Sequence, residues 1–188
     1  MPSLRTKYFI TLILLGVCIS THAQNILDNA SFEGEPQDAT IPHGWFGCEE
    51  GTTPDILPGP WGVYLEPSDG DTYVGLITRD NGTYESIGQR LKTPLSKDQC
   101  YKIALDLAHS NTYSGYNGAI KIRAWGGKTK CEQAQILFET DYIQHIDWKS
   151  YEFKFTPESE IQYILFEAFY KDGSFRFRGN ILIDAMSA

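Results

Sequence analysis

NILDNASFE (Asn25–Glu33), together with GNILIDAMSA (Gly179–Ala188) at the far end of the chain, decides how the fold is read. In the first stretch Ile26, Leu27 and Phe32 are apolar, Asp28 and Asn29 interrupt them, and the run closes on the acid Glu33. In the second, Ile181 and Ile183 fall on one side of a two-residue period, Leu182 and Asp184 on the other, the alternation of a strand with two different faces. The pattern predicts two terminal strands that meet and close one β-sandwich.

Ahead of Asn25 the chain reads as an export leader. MPSLRTK is basic, YFITLILLGVCIS is a short apolar run, and THA supplies small residues before a cut after Ala23. The apolar run is shorter than the roughly 20 residues that span a bilayer, and no other stretch is long enough. The reading is therefore a signal peptide over residues 1–23 and a single domain over 24–188, with no transmembrane segment once the leader is gone. The alternative is a lipoprotein, on Leu15-Gly16-Val17-Cys18, a poor lipobox because Val17 stands where a small residue is expected. Both readings place the protein in the periplasm, on the cell surface or outside the cell.

The remaining 165 residues suffice for one ordinary core. Loss of Arg5 and Lys7 with the leader takes the net charge from −8 to −10. An acidic chain with no basic cluster is a poor partner for nucleic-acid phosphates or anionic lipid.

Residues 34–60 carry Pro36, Pro42, Pro54, Pro58 and Pro60 among five glycines, which excludes a helix. A loop this long is functional or disordered, and Trp45, Phe46 and Cys48 predict that it packs down. Strand patterns follow at 61–66, 72–79, 84–91, 100–109, 119–125, 148–155 and 161–170, with 132–140 either strand or helical turn. Asp80-Asn81-Gly82 predicts a hairpin between the second and third, and Ser110–Gly118 a loop between the next two. Lys171-Asp172-Gly173 turns the chain toward its last strand. Eight to ten short strands without an amphipathic helix predict an all-β antiparallel sandwich or jelly roll.

NASFE at 29–33, Gly44-Trp45, DGDTYVGL at 69–76, DWKSYEFKFTP at 147–157 and NILID at 180–184 come in an order that resembles the galactose-binding-like jelly-roll modules of secreted bacterial proteins. Such modules are related to non-catalytic carbohydrate-binding modules, and the chain is similar to modules found in gliding and gut Bacteroidetes. The resemblance covers nearly the whole exported chain. It implies a jelly roll, frequently one structural calcium, and often sugar binding on a concave sheet or at the loop edge.

Enzyme chemistry finds little support. There is no Gly-x-Ser-x-Gly elbow, no His-Glu-x-x-His helix and no phosphate-cradling loop, and His43, His109 and His145 are isolated. Glu139 and Asp141 pose as a carboxylate pair for glycoside hydrolysis, with nothing beside them to raise either pKa. The sequence therefore predicts no enzyme but a glycan-binding module, with a cell-surface adhesion protein that binds a protein partner as the alternative.

Sugars need aromatic rings beside fixed polar groups, and two regions qualify. One is the outward row Lys121, Arg123 and Trp125, with Asp106 on the next strand and Gln89 and Glu167 across the sheet. The other is a loop rim of Trp61, Tyr64, Tyr113 and Tyr116, with Asp55 and Arg79 at the border. The expectation is that one concave surface joins both. Against it stand a salt-bridged solvent face, with Asp106 meeting Arg123, and tyrosines that merely pack a loop.

Export favours a disulfide. Folding 100–109 back on 119–125 brings Cys100 toward Cys131, which predicts that bridge and leaves Cys48 free or packed in the long loop. Paired termini also bring Glu33 and Asp184 together, two carboxylates that repel unless neutralised. The resemblance supplies a calcium there, with Asp71 or a nearby carbonyl as a further ligand; the alternatives are solvation, or ion pairs with Arg176 or Arg178.

Overall fold

Ile103, Leu105 and Leu107 alternate with Lys102, Ala104 and Asp106, and the chain there runs as a strand whose odd positions are buried. The same two-residue logic repeats along a computed structural model that describes residues 25–170 and 178–188. The leader, Cys18, Arg176 and the 171–173 turn lie outside the described residues. Among those described, the strands are β1 (Phe46–Gly47), β2 (Asp55–Leu57), β3 (Tyr73–Thr78), β4 (Ser86–Leu95), β5 (Tyr101–Ala108), β6 (Gly118–Ala119), β7 (Lys121–Gly127), β8 (Gln135–Glu139), β9 (Lys149–Phe155), β10 (Ile161–Phe169) and β11 (Gly179–Ser187). They form two sheets. One has five strands in the order β1-β4-β10-β7-β8; the other runs β2-β3-β11-β5-β9, with β6 beside β11. Every pairing is antiparallel except β6 with β11. This is the jelly-roll sandwich that the sequence predicts.

The core lies between the sheets. Ile87, Ile164, Phe166, Ile122 and Ala124 face it from the five-stranded sheet, and Val74, Leu76, Ile103, Leu105, Ile181 and Ile183 from the other. A second, smaller apolar cluster of Leu57, Tyr73, Ile77, Tyr113 and Leu182 covers the outer side of the six-stranded sheet. Ile181 and Ile183 on one face and Leu182 on the other are as the alternation predicts.

Four expectations are corrected. The 25–33 stretch meets both β4 and β11, through Lys92 N–H to the Ile26 carbonyl and Met186 N–H to the Ala30 carbonyl, but it is not a strand. Positive φ at Asn29 (43°) and Phe32 (54°) takes the backbone out of the β region. The Asn29 side chain holds that bend by donating to the carbonyls of Glu33 and His43 and accepting from Glu33 N–H. Phe32 still drops into the core, with its ring 4.8 Å from that of Trp45. Second, Pro60–Gly62 is a 3₁₀ turn and the expected 61–66 strand does not form. Third, the Asp80-Asn81-Gly82 turn closes only the base of a hairpin, at Thr78 and Tyr84, after which β3 and β4 enter different sheets. Fourth, β5 and β7 also lie in different sheets.

That last correction overturns the expected bridge. Without a 100–109/119–125 hairpin nothing brings Cys100 to Cys131, and the bridge is Cys48–Cys131, with Cα atoms 5.3 Å apart. Segment 132–140 resolves as the strand β8.

Candidate functional site

Directly paired residues share a face, so the pairings lay out the outer side of the five-stranded sheet row by row. One row is Ser86–Glu167–Arg123–Glu139, and the next is Gly88–Leu165–Trp125–Ile136. Lys121 pairs with Phe169 at one end, and Arg90, Tyr163 and Gly127 form a row at the other.

The polar groups of this face are fixed by one another. Arg123 Nε donates to Glu167 Oε1 at 2.9 Å, and its Nη1 lies 3.9 Å from Glu139 Oε2. Gln133 donates to the other Glu167 oxygen at 2.8 Å. The guanidinium stands 4.1 Å from the Phe169 ring centroid and 5.3 Å from that of Trp125, in cation–π contact with both. Two polar atoms here are buried with no partner among the described residues: Trp125 Nε1 and Ser86 Oγ. A buried polar group left unpaired costs about 1–3 kcal/mol, so these two atoms stand out on the face.

Two loops joined by the disulfide lie on part of this face. Phe46 covers Gly88, where an added Cβ would sit 2.7 Å from the ring, and Glu132 covers Gly127, where it would sit 2.6 Å from the Glu132 carbonyl oxygen. Lys130 Nζ rests 4.6 Å from the Phe46 centroid, and Cys131 Sγ lies 3.9 Å from the Gly47 carbonyl oxygen. Glu132 caps its own turn by accepting from the backbone N–H groups of Thr129 and Lys128, which hold its pKa below the ordinary value.

Of the row expected from sequence, Arg123, Trp125 and Glu167 come together. Asp106 does not: it is on β5 in the other sheet, where it faces Asp184 in register and accepts from Ser150 and Ser68. Nor does Gln89, which shares the inward side of β4 with Ile87 and Leu91 and clamps the N-terminal stretch through the backbone of Asp28 and Gly44. Arg79 pairs with buried Glu85 at 2.5 Å.

The rim residues gather on the opposite side of the molecule, over the six-stranded sheet. Asp55 accepts from Ala39 N–H, from Trp61 Nε1 and, in a very short contact, from the Tyr113 hydroxyl. Burial raises the Asp55 pKa against those hydrogen bonds, and burial also pushes the Tyr113 phenol up. Trp61 is held at φ 57° and shows 45% of its surface, edge-on to Tyr116 at 6.3 Å. Buried Asn180 positions the 110–116 loop by donating to the carbonyls of Ser110 and Tyr116. One surface joining Trp125 to the rim tyrosines therefore does not exist.

The acids expected to hold calcium flank a single turn. Asp184 accepts from the N–H groups of Ser68, Asp69 and Ala185, and Glu33 accepts from Asp71 N–H. Burial pushes Asp184 up to about 6, against those backbone donors. Carboxylate oxygens are hard ligands of the kind a calcium ion takes, but here backbone N–H groups already point at both, and among the described residues no three His, Cys, Asp or Glu side chains converge as a metal-holding set.

No family model matches the chain, and no curated protein does. Its fold is similar to solved structures. The CBM22-1 xylan-binding domain of Paenibacillus barcinonensis Xyn10C matches with a TM-score of 0.55 at 12% identity, over 90% of this chain and 96% of that one. The K3 cleaved adhesin domain of Lys-gingipain from Porphyromonas gingivalis matches with 0.54 at 14%, over 87% and 97%. An arabinose-bound MgGH51 α-L-arabinofuranosidase matches with 0.58 at 13%, but this chain spans only 26% of its length. At these identities the likeness concerns fold alone: the chain is a jelly-roll β-sandwich of the architecture seen in carbohydrate-binding modules and a gingipain adhesin domain.

Proposed function

We propose that the chain is an exported, non-catalytic module that binds a glycan on the outer face of its five-stranded sheet. The observation that carries this reading is the cluster of charge and rings on that face, the Glu139–Arg123–Glu167 chain against the Trp125 and Phe169 rings, with Trp125 Nε1 lacking a partner among the described residues. Sugar hydroxyls pair with such donors and acceptors, and sugar C–H faces lie on rings. The disulfide agrees with an oxidising compartment. The xylan-binding neighbour supports the ligand class.

Trp125→Phe removes one hydrogen-bond donor and keeps a ring. It is expected to weaken glycan binding about tenfold, the worth of one hydrogen bond of roughly 1.4 kcal/mol, while the melting midpoint stays within a few degrees. Arg123→Ala removes the guanidinium that orders both acids and weakens binding further. A glycan array on the parent followed by titration of both variants decides it. Wild-type affinity in both variants would refute this face.

A second reading, binding of a surface protein partner, rests on the adhesin-domain fold and on Trp61 and Tyr64, which stand 45% and 74% exposed on the other side of the molecule. A pull-down that survives Trp125→Phe but not Trp61→Ala would favour it.

We also keep a structural calcium as a proposal, held by Glu33, Asp184 and the Asp71 region. Its expected mark is a lower melting midpoint in chelator. An unchanged midpoint with no calcium by elemental analysis removes it.

A further inference from the structure

We infer that the Cys48–Cys131 bridge makes the sheet face a blind site, so that it takes the end of a glycan chain and not the middle of a passing polymer. This rests on the glycan-binding reading and names the part of the glycan that fits. The bridge joins the loop after β1 to the loop between β7 and β8, and the joined loops block the face in two directions.

Along the strands, the 128–134 loop turns back over the sheet. It presses on Gly127 through Glu132, places Lys130 over Phe46, and reaches Glu167 through Gln133. Leu165 points away from the core, yet it is only 3% exposed, so the row it shares with Phe46 and Trp125 is filled at its centre. A glycan lying on Arg123 and Phe169 therefore cannot continue toward Tyr163 and Gly127.

Across the strands, the 48–53 loop closes the other side. Ser86 N–H donates to Thr52 Oγ1, and Thr53 donates to Glu85. Exposure along the central row rises steadily away from that loop: Ser86 shows 0%, and the side chains of Glu167, Arg123 and Glu139 show 7%, 20% and 39%. The row is a slope, deepest at Ser86 and open at the β8 edge. An open groove would be exposed at both ends of the row. Ser86 Oγ, without a partner among the described residues, lies beneath the closed end of this row, while Trp125 Nε1 belongs to β7, two strands nearer the open edge. What stays open is the β7–β8 side of two adjacent rows, about 7 Å apart along the strand, which takes the last units of a chain.

The test is the length dependence of affinity in the oxidised protein, by calorimetric titration with xylo-, cello- and arabino-oligosaccharides of one to six units. The series that binds is expected to reach its full affinity by two units, with the six-unit sugar within twofold of the two-unit one. Binding of the matching polymer should then scale with its concentration of chain ends. Affinity that climbs tenfold or more between two and six units describes an open groove and overturns the blind site, while leaving the glycan-binding face in place. No binding to any member of the three series removes the glycan reading, and this inference with it.

Discussion

Replacing Cys48 and Cys131 together by serine is expected to lower the unfolding free energy by about 4–5 kcal/mol. The bridge joins residues 83 apart in sequence, and freeing so long a loop returns that much chain entropy to the unfolded state. For a domain of this size the loss corresponds to a melting midpoint lower by roughly 10 °C or more. Differential scanning calorimetry of the oxidised parent and of the double variant reads it directly. Non-reducing peptide maps of the parent should recover Cys48 and Cys131 in one linked pair. A loss under about 1 kcal/mol would mean that the two loops stay docked through Phe46, Lys130 and Glu132 alone.

The second large effect is at Arg79. Its guanidinium is the cationic partner of Glu85, whose side chain is fully buried and also accepts from Ile77 N–H and from the Thr53 backbone and hydroxyl. Arg79→Met leaves that carboxylate without its counter-charge, which costs about 3 kcal/mol near neutral pH. Burial already raises the Glu85 pKa, with Arg79 the chief influence against it. A carboxyl whose folded pKa is raised binds its proton more tightly in the folded state. Its stabilising contribution is full below the ordinary carboxylate range and is lost as pH rises through the folded pKa. Removing Arg79 raises that pKa further, so the variant should lose more stability at pH 8 than at pH 5. Urea unfolding at the two pH values measures the difference, and Glu85→Gln in the same background should flatten it. An equal loss at both pH values would show that Arg79 acts through packing and not through charge.

Strands whose faces differ were legible in the sequence, because one-sided burial writes a two-residue period. β5, β7, β9 and β11 came out with the correct inward faces for that reason. What the period does not carry is which sheet a strand joins. Ser110–Gly118 and Asp80–Gly82 look like hairpin connections, but the first returns the chain to β6 beside β11 before β7 enters the other sheet, and the second leads from one sheet to the other. That single ambiguity misplaced Asp106 beside Arg123 and Cys100 beside Cys131. Asn25–Glu33 misled for another cause: its apolar spacing is that of a strand, but Asn29 satisfies the backbone locally with its own amide and bends the chain.

The sheet face was half legible. Arg123 and Trp125 follow from alternation, and Glu167 from its place in an apolar run. Gln133 and Ser86 were missed, because they belong to a long loop and to a strand end whose neighbours are set by tertiary pairing. The signal that was available is glycine within strands: Gly127 marks where the Glu132 backbone lies on the sheet, and Gly88 where the ring of its cross-strand partner Phe46 leans over it.

The most direct test of the central claim is to follow the indole N–H signals of the four tryptophans in a ¹⁵N-labelled protein during titration with xylohexaose, cellohexaose and arabinohexaose. The account predicts that the Trp125 signal, identified by its absence in Trp125→Phe, moves most and gains protection from exchange on saturation, while Trp61 stays in place. Saturable shifts at Trp61 with Trp125 unmoved would contradict it and put the ligand on the opposite side of the molecule.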